Sequence, residues 1–358
     1  MTALDTQIPA FCLSSMLPDL RWSTDQADVR VRIYYQHPAE LLIETTLAAH
    51  NGFATLYESR ELIERYMRHK GLARAYPINV QHFADGNGNY WQGDGALTVL
   101  FCEKNLVLPN DSPTEWLERN FLSTITVKQL PSISETVEQL YFVQPQGTPP
   151  NPLLHVTYID AQGATMVTDI SLTADYNASL TNLFVCEFSV AALLDSIMDA
   201  VTIIGVTVSV GNRHMEYYRP ARREHVAMRF LNAFNVMESA YLNAVVNRKT
   251  DDGRKLANVS GSLAHYDRKP VTEYEVQTAP LSFEEASWID QLITSPEVTL
   301  LDGTAVIITD GSAECHNDNN ELNKAKFTYR ELDQRHSVAT AQQAANIFTV
   351  PPHSYQFT

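Results

Sequence analysis

Val29-Arg30-Val31-Arg32-Ile33-Tyr34-Tyr35 places Val29, Val31, Ile33 and Tyr35 on one face of an extended chain and Arg30 and Arg32 on the other. A period of two is that of a strand with one face in a core and one in water. Downstream, 41–47 and 53–57 read as further strands around Asn51-Gly52, a hairpin turn signal. Upstream, residues 1–28 carry Pro9 and Pro18 with little periodicity and are expected to form an N-terminal arm. A helix is expected near 59–70. Ser59 is placed to cap it, Leu62, Ile63, Tyr66 and Met67 form its apolar stripe, and Gly71 stands where a C-cap belongs. Glu61–Arg65 and Glu64–Arg68 supply i,i+4 pairs on its wet side.

The same grammar continues along the chain. Strands are expected at 77–83 and 96–103, around the turn-rich Asp85-Gly86-Asn87-Gly88-Asn89. Ser112-Pro113-Thr114-Glu115 is a capping box with proline at the first helical position and opens a short helix at 113–121. Strands return at 123–130 and 136–143. Pro145-Gln146-Gly147-Thr148-Pro149-Pro150-Asn151-Pro152 then reads as a stiff linker, because proline cannot donate to a sheet. Beyond it, 153–159 and 164–173 form a hairpin across Asp160-Ala161-Gln162-Gly163. Residues 190–201 carry Val190, Leu193, Leu194, Ile197, Met198 and Val201 at helical spacing, and Val206, Val208 and Val210 alternate as a strand.

A further boundary is expected near Arg219-Pro220. After it come strands at 226–232 and 236–245, a polar excursion at 247–262 and a strand at 271–279. Ser282-Phe283-Glu284-Glu285 is a second capping box, opening a helix at 283–294 that Ser295-Pro296 ends. Strands at 297–301, 304–309 and 325–332 follow, and 350–358 is an extended, Pro-rich tail. Many short strands, close turns and about four short helices predict a mostly β (α+β) protein of antiparallel β-sandwich or barrel-like domains. The domains are expected at 29–144, 153–219 and 220–349, with 145–152 as the linker.

Charge narrows the function. Against 26 Lys+Arg stand 42 Asp+Glu, a net −16, and an acidic surface repels phosphate backbones, so no direct nucleic-acid readout is expected. Cys12, Cys102, Cys186 and Cys315 are too widely spaced for a metal knuckle or a disulfide pattern, which fits separate thiols in a reducing cytoplasm. Neither a signal peptide nor an apolar run of membrane-spanning length is seen. P-loop, dinucleotide, nucleophile-elbow and zinc-protease motifs are missing, and His214-x-Glu216 lacks the P-C-x-x-C of a zinc deaminase. The chain therefore reads as non-enzymatic, with no catalytic, cofactor or metal residues. Asp85–Asn89 begins like a calcium loop, but Tyr90 and Ala96 hold the sixth and twelfth positions. The run Asp310–Glu321, with Glu314, His316 and Asp318, reads as a solvated loop that has the ligand types for a cation.

One feature runs against the global charge. Arg213, Arg219, Arg222 and Arg223 surround Tyr217-Tyr218, a composition favoured at protein interfaces. The six residues are the candidate contact with an acidic neighbour, the alternative being an ordinary charged loop.

The last third adds a resemblance, carried by Phe230-Leu231-Asn232-Ala233-Phe234-Asn235-Val236-Met237-Glu238, Tyr274–Leu281, Gln291–Val298, Ile307–Asp310 and Lys326–Arg330. These segments resemble a family of tail-region structural proteins encoded by phages and prophages of Bacteroidetes-type bacteria. The likeness covers 226–335 and more faintly 29–71. It implies a tail-tip or baseplate subunit, comparable in role to a distal tail protein. Such a subunit would pair with copies of itself in a ring and with neighbouring tail proteins, in the virion. A β-sandwich adhesin or carbohydrate-binding module is the alternative, with Tyr90, Trp91, Tyr217 and Tyr218 as its platform.

Overall fold

The structure is a computed structural model. It describes residues 2–7, 11–36, 39–69, 76–84, 90–103, 112–131, 136–144, 149–172, 174–176, 183–189, 193, 197, 200–219, 226–251, 254–259, 262–268, 271–314 and 322–332. The Asp85–Asn89 turn, Gly71, Arg222, Arg223, Cys315 and the 350–358 tail lie outside them, as do most of the expected 190–201 helix and residues 315–321; residues 310–314 of the expected Asp310–Glu321 loop are strand instead, paired with 324–328. The described chain is mostly β, with three α-helices and one 3-10 turn.

The first unit holds β1 (Ala3–Leu4), β2 (Phe11–Leu13), a 3-10 turn (Ser14–Met16), β3 (Leu20–Ser23), β4 (Asp28–Gln36), β5 (Ala39–Ala48), β6 (Phe53–Leu56), α1 (Ser59–His69), β7 (Tyr76–Ala84) and β8 (Tyr90–Leu100). The alternation in β4 works as read: Val29, Val31, Ile33 and Tyr35 are buried, and Arg30 faces solvent. Two sheets, ordered β1-β3-β6 and β2-β8-β7-β4-β5, share one core. The first 28 residues are not an arm. Cys12, Leu20 and Trp22 lie in that core, and β2 pairs in parallel with β8. Pairing with partners tens of residues away ordered a segment whose own periodicity is weak. Asn51 and Gly52 both take positive φ, and the antiparallel bridge His50↔Phe53 closes the two-residue turn through backbone bonds of 2.7 and 3.0 Å, as the signal predicts, although β5 and β6 belong to different sheets. Ser59 does not cap α1; it lies within the first turn, and its hydroxyl donates to the Pro18 carbonyl. Arg60 pairs with Glu64, and Arg68 with Glu103.

After α2 (Pro113–Arg119), a second unit is built from β9 (Val127–Gln129), β10 (Val137–Val143), β11 (Leu153–Asp160), β12 (Thr165–Ser171), β13 (Ala174–Tyr176), β14 (Leu183–Ser189), β15 (Ala200–Val210) and β16 (Arg213–Tyr218). Sheets ordered β10-β14-β13 and β12-β11-β15-β16-β9 enclose a common core. The β11–β12 hairpin forms as expected, with Asp160 Oδ1 accepting from the Gln162 and Ala164 amides. The Pro-rich stretch is not a boundary between domains, because β10 before it and β11 after it bury side chains in the same core. Residues 145–148 of it lie outside the described residues, and β10 and β11 belong to different sheets. The expected strand at 123–130 shrinks to β9, which pairs in parallel with β16, so pairing is not antiparallel throughout. Leu193 is helical, but the chain is already in strand β15 at Ala200.

The third unit comprises β17 (Val226–Leu231), β18 (Met237–Leu242), β19 (Ala244–Asp251), β20 (Arg254–Val259), β21 (Ser262–Arg268), β22 (Val271–Thr278), α3 (Phe283–Thr294), β23 (Val298–Leu300), β24 (Ala305–Glu314) and β25 (Lys324–Glu331). Its seven-stranded sheet runs β18-β17-β23-β24-β25-β22-β19, and α3 buries Ala286, Trp288, Ile289 and Leu292 toward it. The polar excursion is itself strand: β20 and β21 pair with each other in a separate two-stranded sheet. The charged and small polar residues at 247–262 hid it, since cross-strand backbone hydrogen bonds do not depend on composition.

A fourth core joins the three units. Leu13, Leu100 and Cys102 of the first meet Trp116 and Leu117 of α2, Val143 and Leu183 of the second, and Phe234 and Val236 of the third. Trp116 stacks on Phe234 with centroids 5.2 Å apart. The Glu103 amide donates to the Ala233 carbonyl at 2.8 Å across the same junction.

Candidate functional site

Strand β16 carries the residues singled out as an interface, and its alternation sorts them. Arg213, Met215 and Tyr217 point inward; His214, Glu216 and Tyr218 point outward. Arg213 is only 2% exposed. Its guanidinium donates to the carbonyls of Leu117 (2.6 Å) and Val143 (2.9 Å) and to Gln144 Oε1 (3.2 Å), and lies over the Phe142 ring. Burial pulls its pKa down to about 10, against the opposing pull of Glu118. Arg213 braces the junction and is not on the surface of the chain. Tyr217 is buried too and enters the charged cluster described below. Tyr218 is exposed on one side, and its hydroxyl donates to Glu285 Oε1 at 3.0 Å, tying β16 to the first turn of α3. Burial, then Glu285, pushes the Tyr218 hydroxyl up to about 12. Arg219 is exposed and donates to the Ile203 carbonyl at 3.3 Å. The structure therefore splits the cluster: two residues are core, two lie at the surface, and two are outside the described residues.

The cluster around Tyr217 was not anticipated. Lys128 of β9, Glu138 of β10 and Glu238 of β18 are all buried, with Lys128 Nζ 2.7 Å from Glu238 Oε1 and 3.4 Å from Glu138 Oε1. Glu138 accepts from the Tyr217 and Tyr241 hydroxyls, each at 3.0 Å. Glu238 accepts from Ser123 Oγ (2.6 Å) and Asn232 Nδ2 (2.7 Å). All four carboxylate oxygens thus have donors, which a buried carboxylate requires. Burial alone would pull the Lys128 ammonium down, but Glu238 and Glu138 outweigh it and hold it above the ordinary lysine value. Part of the signal was present in the sequence. Glu138 shares a strand face with Leu140 and Phe142, so the period of two puts it in the core, whereas β18 is buried on both faces and its pattern does not single out Glu238.

Beside this cluster, at the seam of the second and third units, is a cavity of about 210 Å³ lined by Lys128, Gln129, Tyr218, Tyr241, Glu285 and Trp288 among others. Gln129 Nε2 and Trp288 Nε1 are buried without a hydrogen-bond partner among the described residues. Chemically the seam is a latch, with one ammonium holding carboxylates from two units. The proposed aromatic platform is also divided. Tyr90 is exposed, but Trp91 is half-covered, with Arg32 at 4.2 Å and Arg30 at 5.3 Å from its ring centroid, and Tyr217 is buried. Among the described residues no group of His, Cys, Asp or Glu is arranged to hold a metal ion, and no helix is long and apolar enough to cross a membrane.

Fold and site together define a mostly β protein of three units locked by an apolar junction and a buried charged latch. The chain matches no protein-family model, and no curated protein matches it.

Proposed function

We propose that the chain is a structural subunit of a phage or phage-like tail (tip, baseplate or connector ring) that works through protein–protein contacts. The observation that carries this reading is the shared junction core. Three β-rich units meet through one apolar cluster and are tied again by the Lys128 latch. Such coupling suits a part that must pass force between neighbours without bending at its domain boundaries. We read the two sheets around each of the first two cores as sandwich-like. The partners are copies of the chain and neighbouring tail proteins, the location is the virion, and no cofactor is involved. The adhesin alternative has less support, since Tyr217 is in the core and the Trp91 ring is partly covered by arginine.

Labelling intact particles with an antibody against this chain, imaged by electron microscopy, tests the tail assignment. Decoration of the tail is expected. Particles decorated only at the capsid, or carrying no copy of the chain by mass spectrometry, would end it.

A further inference from the structure

The hairpin between β19 and β22 extends beyond the sheet that supports it. In the seven-stranded sheet the ladder between β22 and β25 runs over Tyr274–Gln277, with the Arg330–Glu273 ion pair one residue further out. Outward from there the ribbon has two strands. Asp251 pairs with Val271, and three residues further along each strand Arg254 pairs with Arg268, so β20–β21 begins in the register of the β19–β22 ladder and shifts by one residue after Lys255. The outer pair ends at Val259↔Ser262, and among the described residues no third strand joins it. At ~3.4 Å per residue, β20 alone adds about 20 Å of arm. A lone two-stranded ribbon in water is marginally stable at best, and among the described residues no further strand pairs with either edge.

The arm differs in charge from the rest of the molecule. Residues 252–270 contain Arg254, Lys255, Arg268 and Lys269 against Asp252 and Asp267, a net of 4 − 2 = +2. The whole chain is −16, so the remainder is −16 − 2 = −18. A cationic ribbon on an acidic body has a complementary surface at hand in every other copy of the same chain.

We propose that the β20–β21 arm docks on the acidic surface of a neighbouring copy of this chain. The contact is heterologous, arm to body, so repetition closes a ring or extends a filament. Attraction between the arm and the next body offsets the repulsion of two acidic bodies and sets their register. The inference deepens the assembly reading and rests on it, but its test does not depend on the tail.

Because Asp251 and Val271 are direct partners, replacing 252–270 by Asn-Gly closes the shortened hairpin with a favoured two-residue turn. Light scattering after size exclusion should give a multimer for the full chain and a monomer for the shortened one, with unchanged thermal unfolding. A second variant, Arg254→Glu with Lys255→Glu, keeps the arm's length and should weaken self-association at least about tenfold, as should high salt. A full chain that stays monomeric, or a shortened chain and charge variant that assemble as well as the parent, would overturn the proposal. The tail assignment would survive either result, since it is tested on particles.

Discussion

A guanidinium at 2% exposure is held by what it donates to, and Arg213 donates to two main-chain carbonyls and one amide oxygen across the junction. Arg213→Ala should therefore destabilise the fold by about 2–4 kcal/mol, because the carbonyls of Leu117 and Val143 lose donors in a buried place. Urea denaturation measures this; an unchanged midpoint with impaired assembly would return Arg213 to the interface. The charged cluster makes a separate prediction about pH. Burial, then Glu138, holds the Tyr217 and Tyr241 hydroxyls well above the usual tyrosine range, and the carboxylates hold Lys128 up as well. All three have folded pKa values above their unfolded ones. The unfolded chain releases these protons first, so their contribution is complete at neutral pH and is lost from about pH 10 upward. Phenolate absorbance during alkaline titration should show Tyr217 and Tyr241 ionising only as the protein unfolds. In the Tyr217→Phe, Tyr241→Phe double variant that unfolding-linked component should vanish; if it persists undiminished, the assignment fails.

Among the elements, the two capped helices were the most legible. In both, the serine hydroxyl accepts the N3 amide and the N3 glutamate accepts the serine amide, as the four-residue motifs predict. Ser282→Ala should lower stability by about 1 kcal/mol, visible as a lower urea midpoint. Glu285 also receives Tyr218, so Glu285→Ala should cost more than Ser282→Ala; equal effects would mean the Tyr218 contact contributes nothing. Elements built on distant partners were much less legible. The parallel pairs β2–β8 and β9–β16 involve three-residue strands whose local pattern says little. The β20–β21 arm was missed for a related reason: its mixed polar and apolar sequence shows no clear period of two.

For the molecule as a whole, the junction core decides whether the units unfold together. Trp116 contributes a large ring stacked on Phe234 where all three units meet. Trp116→Ala should cost about 3–5 kcal/mol, and calorimetry should resolve more than one transition where the parent has one. A single, merely shifted transition would show that the units are coupled through the Lys128 latch or another seam instead.

Strand content, the two capping boxes, the β11–β12 hairpin and the buried face of β4 followed from the sequence, because each depends on residues within a few positions of one another. Which segments share a core did not. The Pro-rich stretch looks like a boundary locally, yet β10 and β11 on either side of it bury into the same cluster. The N-terminal 28 residues look like an arm, yet Trp22 is wholly buried. Arg213 looks like surface charge and is core, because α2 and β10 place acceptor groups where its side chain ends. Local periodicity determines which face of a strand is apolar. What that face meets is set by long-range packing, and only the tertiary structure decided that a lysine and two glutamates from three strands would be buried together.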